Sequence, residues 1–372
     1  MKKAVLALAD GAVFEGTGFG AEGDVVGEVV FNTSMYGYQE ILTDPSYVGQ
    51  IVCMTYPEMG NVGTNGEDQE SVRPHAVGMV VRNFNEPSNW RATETLSGYL
   101  ARWGMGGISG IDTRKLVRHL RTHGAQMGVL STGNHSHAAL VEKARSAKGM
   151  EGLDLATGIS TKEPFLFTER TPWVLEPGVA HPEPKKLEYE VIAYDYGLKK
   201  AMLRYLVDEG CRVTVVPSNY PAEKVLAQKP HGVFLTNGPG DPAAVEGADK
   251  TVAALLGKVP VFGICLGHQI LARAIGGTTY KMKFGHRGGN QPVKDLVTGK
   301  VEITAQNHGF AVDDKSVLGK ANVTHLNLND GTVEGIEIPE ALAFSVQYHP
   351  ESSPGPHDAR YLFRRFTSLM AR

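Results

Sequence analysis

Cys265 lies between two glycines, where an apolar segment gives way to a helical pattern. Residues 259–264 are apolar and short enough for a buried strand, and the helical pattern covers residues 269–274. A Gly-x-Cys-x-Gly step between strand and helix is the sulfur counterpart of the nucleophile elbow, whose sharp turn holds the side chain clear of the sheet. The N-terminus of the following helix directs N–H groups and partial positive charge at the sulfur, which favours thiolate. The pattern predicts a nucleophile, although a lone cysteine in an apolar segment is also typical of a small core residue.

A histidine and a glutamate further along the chain could complete this chemistry. His349 and Glu351 are separated only by Pro350, which disfavours helix at the residue before it. Because side chains two apart in an extended segment point to the same side, we expect the carboxylate beside the imidazole and the imidazole towards Cys265. A thiol, an imidazole and an orienting carboxylate can activate a nucleophile and later protonate a leaving amine. The three residues together predict a catalytic triad.

The segment GICLGHQ around Cys265, taken with HPE at 349–351, resembles the class I, triad-type glutamine amidotransferase domain. Further segments resemble the small, glutamine-hydrolysing subunit of glutamine-dependent carbamoyl-phosphate synthetase, and this resemblance covers nearly the whole chain. These segments are FNTSMYGYQEILTDPSY (31–47), NVGTN (61–65), GIDTRKL (110–116), FLTNGPGDP (234–242), KMKFGHRGGN (281–290), TAQNHGF (304–310) and ESSPGPHD (351–358). The segments in the first half of the chain distinguish this family from other amidotransferases better than the cysteine segment does, because many amidotransferases share the cysteine segment.

The resemblance implies an enzyme that hydrolyses L-glutamine through a cysteine thioester. It implies a heterodimer, or a higher assembly, in which ammonia passes to a large synthetase subunit. That subunit would use bicarbonate and ATP to make carbamoyl phosphate for arginine and pyrimidine biosynthesis. ATP and a divalent metal are expected on the large subunit. We expect no cofactor and no metal site in this chain, which has neither a phosphate-loop nor a dinucleotide-binding pattern.

The resemblance also implies the residues around the substrate. The Leu266 amide follows the nucleophile and is expected in the oxyanion hole by the geometry of the elbow, and the resemblance gives the Gly238 amide as its partner. The substrate-binding positions implied are Ser46, Gly238, Gly240, Leu266, Gln269, Asn307, Gly309 and Phe310. Simpler roles remain open for four of these residues. Ser46 fits a turn, Gly309 a backbone requirement, Phe310 a core position and Gln269 a solvated helix face.

Three regions are predicted along the chain. Residues 1–150 are rich in glycine and β-branched segments such as 25–32 and 77–82, and they predict a β-rich mixed domain with a helix over 113–123 that Asp112 caps. Residues 151–188, with recurring prolines, predict a linker.

Residues 189–372 are predicted to form the amidotransferase domain. Strands at 191–194, 212–216, 232–236 and 259–264 alternate there with helices near 199–209, 221–228 and 243–257. This alternation predicts an α/β domain with a doubly wound, mostly parallel sheet, which is the flavodoxin-like fold of class I amidotransferases. In such sheets the ligand site lies at the carboxyl ends of the strands.

Composition excludes several classes of protein. The 372 residues carry 37 basic and 40 acidic side chains, so neither a nucleic-acid nor a membrane-surface partner is expected. No run of 18 apolar residues is present, and the first ten residues read as a strand rather than as a secretory leader. The three cysteines have no metal or disulfide spacing, which favours a cytoplasmic protein.

Two other functions fit parts of the pattern. An amidotransferase that serves anthranilate or GMP synthesis would share the Cys–His–Glu core but not the N-terminal segments. The other is a catalytically silent scaffold that binds the synthetase. Loss of the cysteine would favour this hypothesis, but Cys265 is present.

Overall fold

The computed structural model describes residues 2–172 and 185–371, which form two compact units. The first unit comprises Met1–Leu153 together with Met282–Gly289, and the second comprises Asp154–Lys281 together with Asn290–Arg372. Each unit has its own hydrophobic clusters.

The first unit is built on a sheet of seven strands that closes on itself. The strands of the whole unit are β1 (Lys2–Leu8), β2 (Val13–Gly20), β3 (Asp24–Asn32), β4 (Gln50–Met54), β5 (Glu58–Met59), β6 (Gly78–Val80), β7 (Asn83–Phe84), β8 (Gly106–Ser109) and β9 (Gln126–Ser131). Its helices are α1 (Tyr38–Thr43), α2 (Leu96–Arg102), α3 (Thr113–His123) and α4 (His137–Arg145), with a 3₁₀ turn at Pro45–Tyr47. The closed sheet has the order β1-β2-β8-β6-β4-β3-β9, and β9 pairs back with β1. Strands β5 and β7 form a separate pair.

Side-chain alternation divides the core of this unit. One cluster receives residues from all seven strands of the closed sheet, for example Leu6 and Val29, together with Leu116 of α3. The neighbouring residues Val5 and Val30 point to the opposite face, where they pack in clusters with α4 and with α1 and α2, respectively. The prediction of a β-rich mixed domain agrees with this architecture.

The second unit contains a ten-stranded sheet with helices on both faces. Its strands are β10 (Phe165–Phe167), β11 (Tyr189–Asp195), β12 (Cys211–Pro217), β13 (Gly232–Leu235), β14 (Val261–Ile264), β15 (Thr279–Asp295), β16 (Val301–Val312), β17 (Asn322–Asn327), β18 (Val333–Ile338) and β19 (Ala343–Val346). Its helices are α5 (Ala156–Ile159), α6 (Lys200–Asp208), α7 (Ala222–Ala227), α8 (Ala248–Leu255), α9 (Leu266–Ala274), α10 (Asp314–Val317) and α11 (Tyr361–Met370), with a 3₁₀ turn at Pro339–Ala341. Strand β15 contributes residues to both units.

The parallel part of the sheet has the order β12-β11-β13-β14-β19. Strand β10 adds to it antiparallel at one edge, and β18, β17, β15 and β16 follow β19 at the other. Helices α7, α8 and α9 cover one face, while α6 and α11 cover the other. Burial on both faces explains why β13 and β14 read as continuous apolar runs. The predicted fold class, a doubly wound, mostly parallel α/β sheet after a β-rich domain, is confirmed.

The predicted linker, residues 151–188, contains regular structure in the described part of the chain. Helix α5 lies in this range, and β10 pairs with β12 as the edge strand of the sheet. Residues 173–184 lie outside the described residues. Only the three residues Phe165–Phe167 form β10, which is shorter than the apolar runs of about four to eight residues that predict a strand.

No helix in residues 2–172 or 185–371 is both long and apolar enough to cross a membrane.

Candidate active site

Cys265 occupies a sharp turn between β14 and α9. Its backbone has φ 55° and ψ −104°, a region that non-glycine residues seldom adopt and that is often reserved for functional sites. A Cβ added at Gly263 would lie 2.7 Å from the Gly267 oxygen, and one added at Gly267 would lie 2.3 Å from the Leu235 oxygen. Both flanking glycines are therefore required, because the backbone crosses itself closely here. The predicted elbow is present.

The thiol of Cys265 is buried but lies beside a polar strand. Its side chain is 2% exposed, and Sγ lies 3.7 Å from the backbone oxygen of Asn307 in β16. The backbone N–H of Cys265 donates to Val346 O at 2.9 Å, which ties the turn to the end of β19. The sulfur therefore lies at the carboxyl ends of the parallel strands, at the N-terminus of α9.

His349 and Glu351 follow β19 and are hydrogen-bonded to each other. Nδ1 of His349 lies 2.7 Å from Oε1 of Glu351, and both side chains are buried. The backbone of His349 is fixed by a bridge to β16, in which its N–H donates to Ala305 O at 2.8 Å. Nε2 of His349 is also buried and has no hydrogen-bond partner of regular geometry among the described residues. The imidazole therefore has one oriented nitrogen and one nitrogen available for proton transfer.

Lys199 is a member of this site that the sequence did not reveal. Its Nζ lies 3.0 Å from Oε1 of Glu351 and donates to Ser352 O at 2.7 Å. The side chain is 3% exposed, and its backbone N–H donates to Asn237 Oδ1 at 3.2 Å. A buried lysine is unfavourable unless it is paired, so this contact is specific. A lysine at the first residue of the helix predicted near 199–209 is usually solvated, which is why no local pattern pointed to this role.

Charges in the site favour a protonated imidazole. Burial lowers the pKa of His349, but the Glu351 carboxylate and the neighbouring Cys265 thiol outweigh it and raise this pKa to about 10. Burial raises the pKa of Glu351, but Lys199 and His349 outweigh it and hold this pKa below its usual value. Two cations, Lys199 and the His349 imidazolium, then accompany the Glu351 carboxylate beside the Cys265 sulfur. Their positive charge would stabilise negative charge that develops at this place during a reaction.

The raised pKa of His349 predicts how stability depends on pH. The pKa of His349 is raised from 6.5 to about 10 on folding. The protonated imidazole therefore stabilises the folded protein fully below about pH 6.5, and this contribution is lost as the pH rises through 10. The difference in free energy of unfolding between wild type and His349→Asn should therefore shrink between pH 6.5 and 10. Urea unfolding of both proteins at pH 6.5, 8 and 9.5 measures it, and a constant difference would contradict the assignment.

Gly238 and Leu266, the predicted oxyanion donors, are brought together. A Cβ added at Gly238 would lie 2.7 Å from Cδ2 of Leu266 and 2.1 Å from Tyr196 O. Gly238 follows β13, and Leu266 is the first residue of α9. Any side chain at Gly238 would displace the turn that carries its N–H.

The other predicted substrate contacts lie in both units. Gln269 lies one turn after Cys265 on α9, and its N–H donates to Cys265 O at 3.1 Å, so the two side chains share a helix face. The remaining positions in the second unit are Gly240, in the turn after β13, and Asn307, Gly309 and Phe310, all in β16. Ser46 belongs to the first unit, in the 3₁₀ turn, where its N–H donates to Asp44 Oδ1 at 2.9 Å. Contact between these side chains and a substrate stays a prediction.

Known protein families account for both halves of the chain. Residues 192–369 match the family model described as "Glutamine amidotransferase class-I", and residues 6–130 match "Carbamoyl-phosphate synthase small chain, CPSase domain". The second unit is thus a class I glutamine amidotransferase domain.

Relatives of nearly the same length carry one name, carbamoyl phosphate synthase small chain. The relative from Syntrophotalea carbinolica is 58% identical, with 100% of this chain and 98% of that protein covered. The relatives from Escherichia coli O6:H1 and Akkermansia muciniphila are 54% and 53% identical, with at least 98% of each chain covered. The chain belongs to the carbamoyl phosphate synthase small chain family. The predicted family, glutaminase-subunit function and enzyme class are confirmed.

Proposed function

We propose that Cys265, His349 and Glu351 hydrolyse L-glutamine and that the ammonia serves carbamoyl phosphate synthesis on a large partner chain. The observation that carries this proposal is the elbow at Cys265, whose positive φ and close glycine crossings place a buried thiol at the carboxyl edge of the sheet. The hydrogen-bonded His349–Glu351 pair supports it, and the bridge between His349 and Ala305 of β16 holds this pair in place.

In the first half of the reaction, the Cys265 thiolate attacks the side-chain amide carbon of glutamine. The developing oxyanion accepts hydrogen bonds from the N–H groups of Gly238 and Leu266. The C–N bond then breaks, and the His349 imidazolium gives its Nε2 proton to the leaving nitrogen. Ammonia departs, and a γ-glutamyl thioester remains on Cys265.

In the second half, water clears the thioester. Neutral His349 takes a proton from the water at Nε2, and the oxygen attacks the thioester carbon. Breaking the C–S bond releases glutamate and returns Cys265 as thiolate beside a protonated His349. Glu351 accepts from Nδ1 throughout, so the imidazole keeps one orientation in both halves.

Substrate recognition in this proposal uses the positions that the family resemblance implies. Ser46, Gly240, Gln269, Asn307, Gly309 and Phe310, with the two oxyanion donors, hold the amino, carboxylate and amide groups of glutamine. The family resemblance supports these positions. Phe310 is buried and its backbone oxygen accepts a hydrogen bond from Gln269 Nε2 at 2.8 Å, which is compatible with these positions.

The partner in this proposal is a large synthetase chain, in a heterodimer or a higher assembly, in the cytoplasm. That chain would hold ATP and a divalent metal and would use bicarbonate. The small-chain names of the relatives support the existence of such a partner. Nucleic acid and membrane have no part in the proposal.

The test is to follow the amide nitrogen of glutamine. The protein, purified with its large partner, is given L-glutamine labelled with ¹⁵N at the amide, bicarbonate, ATP and Mg²⁺, in the presence of unlabelled ammonium. We expect glutamate release and ¹⁵N in carbamoyl phosphate at an enrichment above that of the bulk ammonium. Absence of glutamate release would overturn the proposal and favour a silent scaffold. Glutamate release with enrichment equal to the bulk would overturn only the direct delivery of ammonia.

A further inference from the structure

Gln347 is a fully buried glutamine at the end of β19 whose side-chain contacts point to a function. Its Oε1 accepts a hydrogen bond from Nε2 of Gln269 at 2.9 Å, and the residue is 0% exposed. Its own Nε2 is buried and has no hydrogen-bond partner among the residues that the structure describes. A buried donor without a partner is unfavourable, so an apolar side chain would be more stable at this position.

The hydrogen bonds of Gln269 fix the orientation of its amide. Nε2 of Gln269 donates to Phe310 O at 2.8 Å and to Gln347 Oε1. A carbonyl oxygen cannot donate, so the nitrogen of Gln269 must face Phe310, and the oxygen of Gln347 must face Gln269. Both amide hydrogens of Gln269 are then used. What the side chain has left to offer a ligand is an acceptor, its Oε1.

Phe310 O does not hold this orientation alone, because a second donor shares it. Nδ1 of His308 lies 2.8 Å from the same oxygen, while His308 Nε2 lies 3.0 Å from Gln306 Oε1. Phe310 O therefore has two neighbouring nitrogens, from Gln269 and His308. The second amide hydrogen of Gln269 points instead to Oε1 of Gln347, which sets its direction. The backbone of Gln347 is anchored separately, since its N–H donates to Glu334 O at 2.8 Å.

We infer that Gln347 is a positioning residue that holds the Gln269 amide with its oxygen towards the substrate, so that Gln269 reads a hydrogen-bond donor of glutamine and not its carboxylate. This inference rests on the proposed function. Gln347 acts only through Gln269: it sets affinity for glutamine, while the thiol, imidazole and carboxylate are unaffected. The unpartnered donor of Gln347 is tolerated because its oxygen is needed at this place.

A double-mutant cycle in the complex tests the inference. The variants are Gln347→Met, Gln269→Met and the double variant, assayed for glutamate release. Gln347→Met should raise KM for glutamine roughly tenfold, the effect of one hydrogen bond, with little change in kcat. Its Tm should equal or exceed that of wild type, and iodoacetamide should alkylate Cys265 at the wild-type rate. In the double variant KM should match that of Gln269→Met alone, because the interaction of Gln347 is then already absent.

An unchanged KM in Gln347→Met, or effects that multiply in the double variant, would overturn the inference. Gln347→Glu gives a second reading, since a neutral carboxyl keeps an acceptor at the same position. The KM of Gln347→Glu for glutamine should be closer to the wild-type value than the KM of Gln347→Met. If the methionine variant does not fold, a tenfold rise in the KM of Gln347→Glu decides against the inference. A wild-type protein that releases no glutamate would instead overturn the proposed function, so the two failures are distinguishable.

Discussion

Replacing Cys265 by serine is expected to remove glutamine-dependent carbamoyl phosphate synthesis and leave ammonia-dependent synthesis intact. A serine oxygen fits the space of the sulfur, but a hydroxyl is a much weaker acid and a weaker nucleophile than a thiol, so it is a poor replacement for the attacking group. Loss of a nucleophile costs about three orders of magnitude or more in kcat. The measurement is the rate of carbamoyl phosphate formation by the complex from glutamine and, separately, from ammonium chloride. Loss of both activities together would contradict the division of labour between the chains.

The other two cysteines provide controls in the same chain. Cys53 and Cys211 are both buried, and burial raises the pKa of each thiol to about 12, so near pH 7.5 both are protonated and poorly nucleophilic. Cys53→Ala and Cys211→Ala should keep glutamine-dependent synthesis in proportion to the folded protein. A glutamine-like electrophile should label one thiol per chain in wild type and in both alanine variants, and none in Cys265→Ser. Labelling that persists in Cys265→Ser would assign the nucleophile elsewhere.

Local patterns predicted the elements that carry the nucleophile. The run that ends at Ile264, the flanking glycines and the following helix are neighbours in sequence, so together they predict the elbow. Helix α3 spans the predicted range, and the side chain of Asp112 accepts from the Lys115 N–H at 2.9 Å as a cap. Strands β11, β13 and β14 contain apolar runs buried on both faces, and β12 is predicted by its buried valines, which alternate with exposed Arg212 and half-buried Thr214. The boundaries of the four strands differ from the prediction by up to two residues.

Features set by tertiary contact were not predictable in this way. No strand was predicted after Ile264, yet five strands follow. The longest, β15, mixes glycines and charged residues without regular alternation, so its pairing determines its structure more than its local pattern does. The role of Lys199 depends on a carboxylate far away in sequence, and the Gln269–Gln347 contact depends on the pairing of β14 with β19. Periodicity cannot encode such pairs.

Replacing Lys199 by methionine is expected to impair both stability and glutamine hydrolysis. The substitution leaves Glu351 fully buried without its lysine partner, and removing one partner of a buried ion pair costs about 3–5 kcal/mol. The pKa of Glu351 should rise, because Lys199 is the largest influence that lowers it. A carboxyl that takes up a proton orients the imidazole less well, so kcat for glutamate release should fall roughly a hundredfold. Urea unfolding and glutamate release measure the two effects.

A second substitution separates the charge of Lys199 from its packing. In Lys199→Met/Glu351→Gln neither buried charge is left without the other, so the free energy of unfolding should recover much of the loss, as expected for coupled neighbours. Glutamine hydrolysis should not recover, since a neutral amide cannot stabilise the imidazolium. Lys200→Met, at the next and only partly buried position, controls for loss of a lysine at the start of α6 and should change little. If Lys199→Met matches Lys200→Met in both measurements, the ion pair contributes nothing, and the carboxylate must be held in place by His349 alone.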